Sequence, residues 1–344
     1  MKKFRLILAA MVLLILFVLE SCQRIPLYDR STELNLVIDL NRELGYDIVM
    51  SSDKPLESEY VKKIEGIVPQ HYEVLIYDID THTLLSTHIV GEKGGKIYLF
   101  PGCYHIVVYS MGTESTQITK IGNRLQAKAF TTDITDQKGS IIKSKVTGEQ
   151  AEADTKGYED DPIIYEPDHL YVANEFDVEI EAFTDEKQTI TIYTTASTIM
   201  DVYSLEVLNI KGAENIEKIE AFVTGQILSN YFGRPERDNL PATVYVEMKS
   251  DIPNSRLYTV FDTFGKLPGA ENKVYLDITV TDSGGEQYRY IYDVTPQFDD
   301  PNNKNNKLII DGSIIDIPEA EQGGGGFKPS VDEWGKEDID VPLT

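Results

Sequence analysis

The feature that most constrains this chain is period-two alternation of apolar side chains. Leu34, Leu36, Ile38 and Leu40 alternate with Asn35, Val37, Asp39 and Asn41. Successive side chains of a strand point to opposite faces, so this spacing predicts a half-buried strand with one inner face. Val74, Ile76 and Asp78 alternate with Leu75, Tyr77 and Ile79, a stretch apolar on both faces. Phe176, Val178, Ile180 and Ala182 alternate with charged residues, and 189–198 is a run of β-branched residues. Further strands are expected at 202–210, 243–248, 256–264, 273–281 and 287–294. Asp282-Ser283-Gly284-Gly285 makes a hairpin turn between the last two. The one helical candidate is 213–222, where Ile216, Ile219 and Phe222 fall near helical spacing; one helical turn followed by a strand is the alternative. The fold class expected is all-β.

The first residues carry a different signal. Lys2, Lys3 and Arg5 precede an unbroken apolar run from Leu6 to Leu19, followed by Glu20, Ser21 and Cys22. A basic start, a short apolar region and a small residue before a cut site make a secretory signal. Leu19-Glu20-Ser21-Cys22 resembles the bacterial lipobox, which implies acylation of the Cys22 thiol and cleavage just before it. As a helix the apolar run rises about 21 Å, short of a hydrocarbon core of about 30 Å. A transmembrane anchor is therefore the weaker reading. Several acyl chains at one terminus make a durable attachment where one alone is marginal.

The whole chain carries a net charge of −25. Removing Lys2, Lys3, Arg5 and Glu20 takes away a net +2, leaving −27 from Cys22 onward. Such a surface repels polyanions, so nucleic acid is excluded as a partner, and anionic lipid is met only through the acyl anchor. There are two cysteines. With Cys22 acylated, Cys103 has no intramolecular partner, and no disulfide framework is expected. Cys103 enters an apolar strand and reads as a small buried hydrophobe.

A chain of 344 residues accommodates two domains. Ile97–Phe100 and Tyr104–Ser110 are expected to pair around Pro101-Gly102, and Asp80-Thr81-His82-Thr83 to turn between two strands. Leu99-Phe100-Pro101-Gly102-Cys103-Tyr104 resembles a corner of the prealbumin-like β-sandwich, which implies that the tyrosine hydroxyl reaches polar backbone. Between 149 and 168 acidic residues crowd together with Pro162 and Pro167, suggesting an exposed connector. Gly323–Gly326 is a flexible tract, and beyond it Ile339, Val341 and Leu343 alternate with Asp338, Asp340 and Pro342 as a tethered strand. That strand is expected either to pair back onto its own sheet or to add to a neighbour's edge. The expected organisation is a signal peptide at 1–21, a β-sandwich domain at 22–172 that includes the acidic connector, a second at 173–320, and tether plus strand at 321–344.

Catalytic motifs are not found: there is no nucleophile elbow, phosphate loop or His-Glu-x-x-His. His82, His88 and His105 lie on or beside adjacent strands and could in principle meet a metal, but satisfied histidines are the simpler reading. Residues 299–306 are rich in oxygen ligands yet lack the spacing and central glycine of a calcium loop. Arg234-Pro235-Glu236-Arg237-Asp238-Asn239 reads as a charged loop. Neither cofactor nor metal is expected. Tyr288, Tyr290 and Tyr292 share one face of a strand and form the candidate ligand surface, suited to glycans or a partner's groove. A plain sandwich face built of tyrosine is the alternative.

The lipoprotein signal, the opening segment 27–34, the Gly-rich tract and the closing segments 331–334 and 337–343 together resemble the fimbrillin-like lipoproteins of Bacteroidales-type bacteria. The nearest likeness is to the fimbrial anchor or minor-subunit type and a related lipoprotein family. The resemblance implies two prealbumin-like β-sandwiches in tandem, an outer-membrane lipid anchor and fimbrial subunits as partners, joined by strand addition. The candidate donor strand is then Ile339, Val341 and Leu343. Arg30 resembles a maturation cut site, although cutting there would free an anchor from its lipid. Members exported to the surface carry acids just after the lipidated cysteine. Here Gln23-Arg24-Ile25-Pro26 follows, which leaves a periplasm-facing position open. A glycan-binding surface lipoprotein is the alternative function.

Overall fold

The structure, a computed structural model, describes residues 31–41, 58, 68–143, 147–151, 158–182, 189–269, 271–303 and 306–319. The signal segment, Cys22 and the tail bearing Ile339, Val341 and Leu343 lie outside the described residues. In chain order the first strands are β1 (Thr32–Leu40), β2 (His71–Asp78), β3 (Leu84–Gly91), β4 (Gly94–Leu99), β5 (Gly102–Ser110), β6 (Gln117–Thr119) and β7 (Lys128–Phe130). Helix α1 (Thr135–Lys143) precedes β8 (Thr147–Ala151), β9 (Ile163–Tyr165), β10 (Tyr171–Ile180), β11 (Thr189–Thr198), β12 (Asp201–Leu208) and β13 (Ile216–Ile227). Then come β14 (Ser229–Tyr231), β15 (Pro241–Val246), β16 (Lys249–Asp251), β17 (Arg256–Thr263), β18 (Tyr275–Asp282), β19 (Gln287–Asp293), the short α2 (Thr295–Phe298) and β20 (Lys307–Asp311). The chain is predominantly β, as its alternation requires.

The first unit is a closed barrel in the order β1-β11-β10-β5-β2-β3-β4. Its seams are thin. β10 meets β11 at two residue pairs, and β3 meets β4 only at Gly91 and Gly94. The barrel is therefore a sandwich of two layers, β3-β2-β5-β10 over β4-β1-β11. Leu34, Leu36, Ile38, Tyr72, Val74, Ile76, Ile106 and Val108 fill it. β1 shows the expected pattern, with Leu34, Leu36 and Ile38 buried, Leu40 half-buried and Asp39 exposed. The Asp78 carboxylate accepts from the amides of Asp80 and Thr81 and from the Thr81 hydroxyl, which closes the expected turn and holds Asp78 below the usual carboxylate range.

The opposite faces of β2 and β5 explain their double-sided apolarity. Leu75, Tyr77, Val107 and Tyr109 point out of the barrel and join a core shared with β12, β13, β15, β17 and β18. That second unit comprises a four-stranded sheet β16-β17-β12-β20 and a six-stranded sheet β8-β19-β18-β13-β15-β9. Tyr109 packs against Phe232 at 5.4 Å between ring centroids, and the Tyr77 hydroxyl donates to the Ile121 carbonyl at 2.9 Å. Burial pushes both phenols up.

Several expectations need correction. Most of β10 and all of β11 lie beyond residue 172 in sequence but are hydrogen-bonded into the first barrel. Conversely, β7, β8 and β9 lie before it and pair with β14, β19 and β15. The two units are interleaved along the chain because the barrel recruits two late strands to close. The acidic stretch 149–168 is not simply an exposed connector: Ile163 and Ile164 are buried in β9, and buried Tyr158 packs with α1. Acids surround these few apolar residues in sequence, which hides their period, and two of the acids are themselves engaged: Asp168 accepts from the Thr116 amide and Glu166 from the Asp262 amide. β4 and β5 do not pair with each other; Pro101-Gly102 carries the chain from one layer to the other. The Tyr104 hydroxyl there donates to the Phe100 carbonyl at 2.8 Å, the backbone contact expected at that corner. Cys103 is exposed, not buried. It shares a face with Val107, but the second unit covers only the Val107 end. Residues 213–222 prove to be one 3-10 turn, Ala213–Asn215, leading into β13.

Candidate assembly interface

β1 is the first strand of the described residues and it is fully seated. It runs antiparallel to β4 and parallel to β11, and Leu34, Leu36 and Ile38 are at most 3% exposed. Burying three such side chains contributes about 1.5–3 kcal/mol each. Gly94, at φ +96°, lets β4 close on it: a Cβ there would sit 2.0 Å from the Leu36 carbonyl oxygen.

β3 is the barrel's open edge. Its partners among the described residues are β2 on one side and the single Gly91–Gly94 contact on the other. The 120–124 loop pins its beginning, where the Leu84 amide donates to the Gly122 carbonyl. From there Leu85 and Ile89 stand 54% and 65% exposed on one face. Ile89 also borders a groove of about 740 Å³ with Pro69, His71, Met111 and Glu114. His88 is bonded to the Ser86 hydroxyl, and burial lowers its pKa. An apolar strand edge with free backbone groups is a template for another strand.

The outer edge of β20 is covered instead. The Gln297 side-chain amide donates to the Ile309 carbonyl at 2.9 Å and accepts from the Ile309 amide at 2.8 Å. Asn303 does the same at Lys307, donating at 3.1 Å and accepting at 2.9 Å. Each carboxamide imitates one residue of a neighbouring strand, a way of blunting an edge against pairing. Replacing both with alanine (Gln297→Ala with Asn303→Ala) should speed hydrogen exchange at the Lys307 and Ile309 amides by about fivefold or more. Unchanged exchange at both positions would contradict this role.

The candidate tyrosines lie elsewhere than expected. Tyr290 and Tyr292 are 3% and 4% exposed within the main core, and Tyr288 packs against it. Tyr290 and Tyr292 offer no ring face to a glycan, because the main core covers that side of β19, whereas Tyr288 is half-buried. Alternation shows that two faces differ, not which one is covered. His82 and His105 stack at 5.8 Å, whereas His88 lies on β3, away from that pair. No group of three or more potential metal ligands converges among the described residues.

The residues that matter at the edges, Leu85, Ile89, Gln297 and Asn303, are not flagged by any motif. Leu85 and Ile89 carried a readable sign, since both alternate along one strand. The carboxamide contacts of Gln297 and Asn303 depend on tertiary placement.

The family described as Domain of unknown function (DUF5119) matches residues 62–247, a span that crosses both units. Among solved structures, a candidate adhesin from Bacteroides ovatus is similar over 83% of this chain and 93% of its own, with 17% identity and a TM-score of 0.52. A second candidate adhesin from Bacteroides ovatus is similar over 84% and 90%, with 12% identity and a TM-score of 0.44. The fimbrial anchor protein Mfa2 from Porphyromonas gingivalis is similar over 80% and 89%, with 14% identity and a TM-score of 0.44. The first of these shares the fold described above. No curated protein sequence matches.

Proposed function

The chain belongs to the DUF5119 family, and from its own residues we propose that it is a structural, non-enzymatic lipoprotein, an anchor or accessory subunit of a fimbrial or adhesive assembly in the cell envelope. The open, apolar β3 edge carries this reading. Backbone hydrogen bonds along an added strand supply affinity, and alternate side chains supply selectivity. The fold shared with a candidate adhesin supports it.

The lipobox-like Leu19–Cys22 supports attachment through acylated Cys22 to the outer membrane, on its outer or periplasmic side. Ser31 follows Cys22 by nine positions, so the lipid lies at most about 30 Å from the root of β1. A subunit so tethered sits at the base of an assembly, and it meets its neighbours through one accepted or donated strand. The donor on this side is the segment bearing Ile339, Val341 and Leu343.

Cell fractionation and cross-linked co-purification test both halves. Wild type should sediment with membranes and bring down fimbrial subunits. Cys22→Ser should move to the soluble fraction. Leu85→Arg with Ile89→Arg, or deletion of residues 323–344, should stay in the membrane but lose the subunits. Failure of wild type to recover any fimbrial subunit would overturn the assembly role, and a membrane-bound Cys22→Ser would overturn the anchor.

A further inference from the structure

We infer that the cleft between β10 and the loop after β14 is a binding site for a carboxylate-bearing sugar, such as a hexuronate residue. This deepens the adhesive reading by naming a ligand class. The cleft encloses about 390 Å³ and is lined by Asn174, Phe176, Tyr231, Arg234 and Arg237, among others, a volume within the range of small-ligand sites.

A distortion of β10 creates one wall. The register with β5 slips between Glu175 and Val178, and Asp177 takes a left-handed φ of 58°. A bulge of this kind re-aims a side chain. Phe176 accordingly leaves the inner face that its spacing with Val178 and Ile180 predicts and stands 49% exposed. Behind it, His105 meets the ring edge-on at 5.3 Å and the Arg124 guanidinium lies 5.3 Å from its centre.

Arg234 supplies the charge. Its guanidinium lies 3.5 Å from the centre of the Tyr231 ring, so the ring fixes its plane. Its only acidic neighbour is Glu236, 3.9 Å from Nε, and it makes no hydrogen bond among the described residues. A planar, immobilised fork of free N–H donors suits a carboxylate. Arg237 differs, since both its terminal nitrogens are taken by Asp201 at 2.6 and 2.8 Å. Lys128 is likewise engaged by Asp238. Among the described residues Arg234 is thus the available cation of the cleft.

Asn174 supplies a hydroxyl partner. Its amide nitrogen donates to the Phe232 carbonyl at 3.0 Å, while its buried Oδ1 has no hydrogen-bond partner among the described residues. A buried acceptor left unmet costs free energy that a ligand hydroxyl would recover. A carboxylate for Arg234, a hydroxyl for Asn174 and an apolar ring face for Phe176 together describe an acidic sugar.

Calorimetry on the lipid-free full chain, made as Cys22→Ser, tests this with glucuronate and glucose as probes. Glucuronate should bind saturably and at least about tenfold more tightly than glucose. Arg234→Ala should abolish the preference, and Arg234→Lys should keep part of it. Phe176→Ala should weaken both sugars. Equal binding of the two sugars, no saturable glucuronate binding up to about 20 mM, or an Arg234→Ala variant that binds as wild type would each overturn the site. The sugar comparison on unsubstituted Arg234 decides the matter even if a variant misfolds. Fimbrial co-purification should be indifferent to Arg234→Ala. Loss of sugar binding alone therefore leaves the assembly role standing, and loss of co-purification alone leaves the sugar site standing.

Discussion

Asp277→Ala should destabilise the protein by about 3–5 kcal/mol, visible as a lower urea midpoint. Asp277 and Arg289 lie on neighbouring strands β18 and β19 and are 1% and 5% exposed. Arg289 Nε donates to one carboxylate oxygen at 2.9 Å and Nη2 to the other at 2.6 Å, while the Tyr158 hydroxyl donates at 3.1 Å. The apolar cluster under α1, with Ile134, Ile142, Phe222 and Tyr275, encloses them. Truncating the acid leaves a guanidinium in that setting without its counter-charge, and desolvation sets the cost. The double variant Asp277→Leu with Arg289→Leu should regain most of the loss, because it removes both charges at once. A loss below about 1 kcal/mol for Asp277→Ala would mean that water reaches Arg289.

This pair also marks what the sequence could not reveal. The strands at 273–281 and 287–294 were expected, but nothing in their sequence singles out Asp277 and Arg289 as a buried pair. The six-stranded sheet is covered on both faces, by the main core on one side and by α1 with Tyr158 on the other. The same limit misplaced Tyr290 and Tyr292. Where both faces of a sheet are buried, period two distinguishes the faces without saying which one meets water. At β2, by contrast, apolarity on both sides was legible, and the strand is indeed held between two cores.

The strands themselves were largely readable because turn residues and β-branched runs are local signals. Which strands share a sheet was not. β10 and β11 follow the acidic stretch in sequence yet close the first barrel, an outcome set by long-range pairing. The candidate sites show the same division. Leu85 and Ile89 stand in alternation on β3, a pattern that sequence carries but does not assign to an exposed face. The exposure of Phe176 was not legible, since the left-handed Asp177 that turns it outward leaves no mark on hydrophobic spacing. Arg234 stood in a plainly charged loop, but that it makes no hydrogen bond among the described residues emerges only beside the tightly bonded Arg237 and Lys128.

Gly94→Val should loosen β1 in its seat. Two penalties combine at this position. A β-branched residue at φ +96° pays about 1–3 kcal/mol in backbone strain. Its Cβ would fall 2.0 Å from the Leu36 carbonyl oxygen, inside any real contact, and backbone on both strands must move. Such overpacking adds about 1–3 kcal/mol. The damage should be local: hydrogen exchange should accelerate along β1 and β4, with β18 and β19 unaffected. Gly285 provides the control. It has φ +89° but nothing within 4 Å of a Cβ, so Gly285→Val carries the strain without the clash. If the two variants cost the same, the close approach of β4 to β1 is not what holds β1. If Gly94→Val costs more and frees β1 to exchange, the glycine secures the strand that links the barrel to Cys22, and any pull along the tether is borne there first.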